Sequence, residues 1–137
     1  MKNMVVIDAN VILRYLIGDH PKHFAQANKF MTGVLSGEVN AFIGEGVLVE
    51  CVYVMLKVYS VPRKEIADKL LGLMSYRGIV IDDRLSLTNA LRLFQDSKID
   101  IVDAIVLATA EHREWKIFSF DKDINKMAKR KGWQPKE

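Results

Sequence analysis

The sequence predicts an α/β fold with a mostly parallel sheet covered by helices on both faces. Short aliphatic runs of strand length alternate along the chain with longer segments of helical spacing, the pattern of parallel strands joined by helices. The run Met4-Val-Val-Ile passes straight into Asp8, and apolar residues at helical spacing follow at once. With 137 residues, 50% hydrophobic and 27% charged, the chain is the size of one domain that buries a real core. No internal repeat, linker or low-complexity stretch divides it, so a single domain over residues 1–137 is expected.

Each element follows from local chemistry. The first strand ends at Asp8, where open parallel sheets bind ligands. Residues 10–17 predict a helix with Val11, Ile12, Tyr15 and Leu16 on one stripe, ended by Gly18. Pro21 suits the first turn of a second helix running to about Gly37, with Phe24, Ala27, Phe30, Met31, Val34 and Leu35 inward. Val39 to Ile43 is a second strand. Glu45 to Tyr59 has helical length and is apolar nearly all round, which predicts burial on every side. Pro62 opens the next helix, with Ile66, Leu70, Leu71 and Met74 as its stripe and Gly78 just past its end. Ile79-Val-Ile81 is a third strand. Asp82-Asp83 caps a helix whose stripe is Leu87, Leu91 and Phe94. Another helix runs from Asp100 to about Trp115. Lys116 to Phe120 is a fourth strand ending in Asp121, followed by a short basic helix.

Composition narrows the function. No apolar run approaches the roughly 20 residues of a membrane span, and Met1-Lys-Asn carries no signal pattern, so a cytoplasmic protein is expected. The lone Cys51 excludes an internal disulfide, and with His20, His23 and His112 scattered it argues against zinc. His20 and His23 read as a solvated helix start. A net charge of +3 permits a nucleic-acid partner without demanding one.

Four acidic residues stand in apolar contexts: Asp8 and Asp121 at strand ends, Glu50 inside the most hydrophobic helix, and Asp103 within Ile99-Asp-Ile-Val-Asp103-Ala-Ile-Val-Leu. Buried carboxylates seldom persist alone. Each has a structural alternative as a helix cap or capping partner, weakest for Glu50; together they point to one shared acidic site. Such a set, without histidine, thiolate or a serine triad, is a hard-oxygen cluster suited to Mg²⁺ or Mn²⁺ and to phosphate substrates. No glycine-rich phosphate loop is present, so phosphodiester cleavage fits better than triphosphate hydrolysis.

At these positions the chain resembles the PIN-domain nucleases. Val-Val-Ile-Asp8-Ala-Asn10-Val-Ile looks like the family's opening motif and Val49-Glu50-Cys-Val-Tyr-Val-Met-Leu is similar to its second. Asp100-Ile-Val-Asp103-Ala-Ile-Val-Leu-Ala resembles the third, and Phe118-Ser-Phe-Asp121-Lys-Asp123 the fourth. The resemblance implies a three-layer α/β/α sandwich and Mg²⁺- or Mn²⁺-dependent cleavage of RNA. The compact length looks most like the toxin ribonucleases of VapBC toxin–antitoxin pairs, which commonly dimerise and are silenced by a small antitoxin protein.

On that resemblance Asp8, Glu50, Asp103 and Asp121 are the metal-binding carboxylates. Asp8 and Asp103 would ligate directly, and Glu50 and Asp121 directly or through water. Asn10 either supports the site by hydrogen bonding or caps a helix. Ser119, Asp100 and Asp123 stand as supporting candidates. Arg14, one turn beyond Asn10, would meet a phosphate or an antitoxin carboxylate, or else form a surface ion pair. Lys122, Lys126, Lys129, Arg130 and Lys131 would guide a nucleic-acid backbone, or simply form a solvated helix. Trp115 and Trp133 read as packing residues. A homodimer is expected through apolar surface around Tyr53, Leu56 and Tyr59. The open alternatives are a PIN nuclease of RNA processing or of DNA, and an inactive binding module. A haloacid-dehalogenase-type phosphatase is excluded because Asn10 stands where its proton-shuttling aspartate belongs. A receiver domain is excluded by the misplaced Asp82-Asp83 pair.

Overall fold

The computed structural model describes residues 4–130 and Gly132. Lys131 and Trp133 lie outside the described residues. The chain forms two compact units, Met1–Asp82 and Asp83–Glu137.

The first unit is built on three short parallel strands, β1 (Met4–Val6), β2 (Asn40–Phe42) and β3 (Ile79–Val80), in the order β1-β2-β3. Met4 lies opposite Asn40 and Val6 opposite Phe42; Ala41 lies opposite Ile79. Parallel neighbours need long crossovers. The first supplies α1 (Ala9–Ile17) and α2 (Pro21–Ser36), the second α3 (Glu45–Lys57) and α4 (Arg63–Met74). Gly18, at φ 72°, closes α1 in the left-handed conformation, its N–H bonded to the Arg14 carbonyl at 3.1 Å.

Gly78 is required by close approach. Its N–H donates to the Val34 carbonyl at 2.8 Å and its carbonyl accepts from Ala41 N–H at 2.7 Å, so the end of α2 and strand β2 both close on it. Ile12, Met31, Ala41, Cys51, Met55 and Ile66 form the fully buried centre, where each large apolar side chain contributes about 1.5–3 kcal/mol. The Tyr15 and Tyr76 hydroxyls meet at 2.5 Å, tying α1 to the turn before β3. Burial, then that hydrogen bond, pushes the Tyr15 phenol up to about 12.

The second unit contains α5 (Arg84–Asp96), α6 (Ile101–Arg113) and α7 (Lys122–Arg130). Asp83 caps α5, accepting from Ser86 N–H at 3.2 Å, and Asp100 caps α6, accepting from Val102 N–H at 3.0 Å. Leu87, Ala90, Leu91 and Phe94 on α5 pack with Ala104, Leu107 and Ala108 on α6 as the main core.

Several expectations change. Lys116 to Phe120 is not a strand: only Ile117 makes a bridge, while Phe118 and Phe120 are 63% and 93% exposed. Local bonds compete there with a ladder. Ser119 Oγ accepts from Asp121 N–H at 3.0 Å, and the Ser119 carbonyl accepts from the Asn125 amide at 2.8 Å. Helix α3 is not buried on every side. Its inward face is Leu48, Cys51, Val52 and Met55, against α1 and α4, while Val58 just beyond it is 69% exposed. The inward residues of α1 are Ala9, Ile12 and Leu13, with Val11, Tyr15 and Leu16 half-buried. Leu35, expected inward, is 51% exposed. Trp115 is not a packing residue; it is exposed and lies beneath the Arg113 guanidinium, 5.3 Å from the ring centroid.

Candidate functional site

Asp8 follows β1 by way of Ile7 and caps α1, its Oδ1 accepting from Val11 N–H at 3.2 Å. That leaves Asn10 inside the helix and exposed, which removes the cap reading of Asn10. Glu50 projects from the middle of α3 and is exposed. Asp8 and Glu50 act on one common neighbour, Cys51. Its thiol is fully buried, 3.9 Å from the Ala9 carbonyl, and burial, then Glu50, then Asp8, push it up to about 12. Asp8 and Glu50 are thus both near enough to the buried sulfur, where α3 meets the start of α1, to act on its charge.

The second unit gathers Asp100, Asp103, Asp121 and Asp123 at the starts of α6 and α7, which pack together. Asp103, in the first turn of α6, is half-buried. Burial raises its carboxyl above the ordinary value, and Asp121, Asp100 and Asp123 raise it further; nearby like charges disfavour ionisation. Asp121 is exposed; its Oδ1 accepts from Ile124 N–H at 2.9 Å, so it caps α7 while its backbone N–H is held by Ser119. Asp123 is exposed in the first turn of α7.

The premise that all four acids are buried does not hold. Asp8, Glu50 and Asp121 are exposed, because each sits at or beside a helix surface that the flanking apolar residues do not cover. Asp8 pairs in neighbourhood with Glu50, and Asp103 with Asp121, each pair within one unit. Among the described residues, neither unit holds three His, Cys, Asp or Glu side chains grouped closely enough to bind a metal ion. The donor types nevertheless fit Mg²⁺ or Mn²⁺: they are carboxylates throughout, and the crowding on Asp103 is of the sign that a bound cation relieves.

Arg14 is half-buried, and its Nη1 lies 3.8 Å from Asp19 Oδ1, the ion-pair reading. It also lines an open groove of about 740 Å³ in the first unit, together with Asp8, Asn10, His23, Gln26 and Phe30. Lys122, Lys126, Lys129 and Arg130 are exposed along α7. Sequence reasoning missed His23, Gln26 and Phe30 as groove residues. Their spacing of three and four was visible as one helix face, but its meeting with the Arg14 face of α1 is a tertiary fact.

No curated protein matches the chain significantly. The family whose sequence pattern matches is the PIN domain, over residues 5–130, a span that includes every one of these acids. PIN domains are in general metal-dependent nucleases. The parallel three-stranded sheet with its helices is the α/β arrangement of such a fold. Among the described residues no helix is long and apolar enough to cross a membrane. On a match covering nearly its whole length, the chain belongs to the PIN domain family.

Proposed function

We propose that this protein is a Mg²⁺- or Mn²⁺-dependent endoribonuclease, the cytoplasmic toxin of a type II toxin–antitoxin pair. The observation that carries this reading is the half-buried Asp103 on α6, whose carboxyl is raised first by burial and then by Asp121, Asp100 and Asp123, a setting that a bound cation would relieve. When bound, the metal supplies Lewis acidity toward the phosphate oxygens. Asp8 and Asp103 are assigned as direct ligands, with Glu50 and Asp121 ligating directly or through water. Ser119 orients Asp121 through the backbone bond described above. Asn10, Asp100 and Asp123 support the carboxylates, and Arg14, Lys122 and Lys126 meet the RNA backbone or an antitoxin tail. A small antitoxin protein and a second copy of the chain are the expected partners.

The test is direct. Purified protein is incubated with matched RNA and DNA strands, with Mg²⁺ or Mn²⁺ and with chelator. RNA cleavage that chelation stops is expected, reduced by orders of magnitude in Asp8→Asn and Asp103→Asn. Cleavage of DNA alone moves the assignment to the other substrate, and full activity in both variants removes the site.

A further inference from the structure

The corner between α1 and α2 carries an unusual cap. His20 precedes Pro21, and its Nδ1 accepts from the His23 backbone N–H at 3.2 Å. Helix starts are normally held by Ser, Thr, Asp or Asn, whose acceptor oxygens persist at neutral pH. An imidazole nitrogen is an acceptor only while unprotonated. Pro21 has no N–H, and Phe24 N–H goes to the His20 carbonyl at 2.7 Å, so the imidazole answers the remaining need of His23.

The surroundings oppose a positive charge on His23. The His20 and His23 rings stack with centroids 4.0 Å apart and planes 19° apart. Arg14 from α1 and Lys22 from α2 add positive charge, and the positive end of α2 adds more. The one carboxylate at the corner, Asp19, is already engaged: Arg14 lies 3.8 Å from it and the Tyr59 hydroxyl, beyond α3, donates to it at 3.0 Å. His23 accordingly binds its proton less readily than an ordinary histidine, with His20 as the largest cause, then burial, Arg14 and Lys22.

We propose that the stacked His20–His23 pair is a proton-operated latch on the start of α2: neutral imidazoles hold the first turn, and protonation releases it. Because the cap needs a bare Nδ1 on His20 and the folded state favours the neutral form of His23, the latch contributes stability above the imidazole range and loses it as pH falls through that range. The helix it releases is the one whose His23, Gln26 and Phe30 wall the groove beside Asp8. The latch stands independently of the nuclease reading, since it needs only the geometry of this corner.

Thermal melts of the full chain at pH 7.5 and 5.5 test it, using wild type, His20→Asn and His20→Ala. Asn keeps a cap acceptor that does not titrate, so His20→Asn should lose much less stability than wild type between the two pH values. His20→Ala lacks the cap throughout and should show a folding equilibrium about fivefold weaker already at pH 7.5. Imidazole NMR titration gives a second readout: the His23 ring should titrate below the ordinary histidine value in wild type and move toward it in His20→Asn. His112 is unchanged in every variant. Equal pH dependence in wild type and His20→Asn, or a His23 titration that His20→Asn leaves unmoved, overturns the proposal.

Discussion

Replacing Gly78 by alanine should damage the first unit far more than the small change suggests. A methyl group there would fall on the Val39 carbonyl and lie 2.9 Å from the Val34 carbonyl. Both obstacles are backbone, and the Val34 carbonyl already accepts the Gly78 N–H, so neither can rotate away. Relief requires moving both Val39, just before β2, and the end of α2 away from Gly78. Overpacking of this kind costs about 1–3 kcal/mol, and the two backbone hydrogen bonds of Gly78 are each worth about 0.5–1.5 kcal/mol. The expected loss is therefore about 4 kcal/mol, a large part of the roughly 5–15 kcal/mol of an ordinary domain. Gly72 is the control. It lies exposed in α4 with nothing within 4 Å of an added methyl, so Gly72→Ala should gain about 0.5–1 kcal/mol from helix propensity alone. Urea unfolding monitored by circular dichroism should move the two midpoints in opposite directions. A Gly78→Ala protein within about 1 kcal/mol of wild type would show that the tight approach of α2 to β3 is wrong.

Three further predictions concern charge and assembly. The carboxyl of Asp103 is raised, so the folded state binds more protons than the unfolded chain, and metal-free stability should fall as pH rises from about 4. Asp103→Asn should then melt higher than wild type in chelator at neutral pH; a lower melting temperature would refute the crowding argument. Asp83 works in the opposite sense. Burial alone would raise its carboxyl, but hydrogen bonding from Ser86 and the Arg113 guanidinium at 3.3 Å hold it below the ordinary value, so its contribution is lost as pH falls through the carboxylate range. Light scattering of the protein without an antitoxin should give a dimer mass, with Val58 and Tyr59 among the exposed apolar groups available at the end of α3. A monomer at high micromolar concentration would exclude that surface as a homodimer contact.

Much of the fold is legible because its boundaries are written in local chemistry. Pro21, Gly18, Asp83 and Asp100 each fix a helix end through one backbone angle or one side-chain hydrogen bond, and all four stand where their residue types suggest. The errors lie where a local pattern meets a competing contact. Lys116 to Phe120 reads like a strand, yet the Asn125 amide takes its Ser119 carbonyl and the Ser119 hydroxyl takes the N–H of Asp121 just beyond it. The helix carrying Glu50 is apolar in composition, but composition does not reveal which of its faces meets α1 and α4 and which stays open. For the candidate site, the residue types and order of the acids are readable. Their exposure is not, since the same carboxylate serves as a helix cap at Asp8 and Asp121 and as a crowded, half-buried group at Asp103. The histidine cap of α2 escapes notice for a related reason: His20 lacks the residue type by which caps are recognised.

The single thiol of the chain gives this architecture a built-in stopwatch. Cys51 has no solvent exposure and is held almost entirely as the unreactive thiol, whereas an unfolded cysteine titrates near pH 8.5 and reacts with disulfide reagents readily. Modification must therefore wait until α3 lifts from the start of α1. With reagent in enough excess to outpace reclosing, the labelling rate counts those excursions where α3 meets the start of α1, without any engineered probe. A cation that bridges the two carboxylates would slow the count while never touching the sulfur.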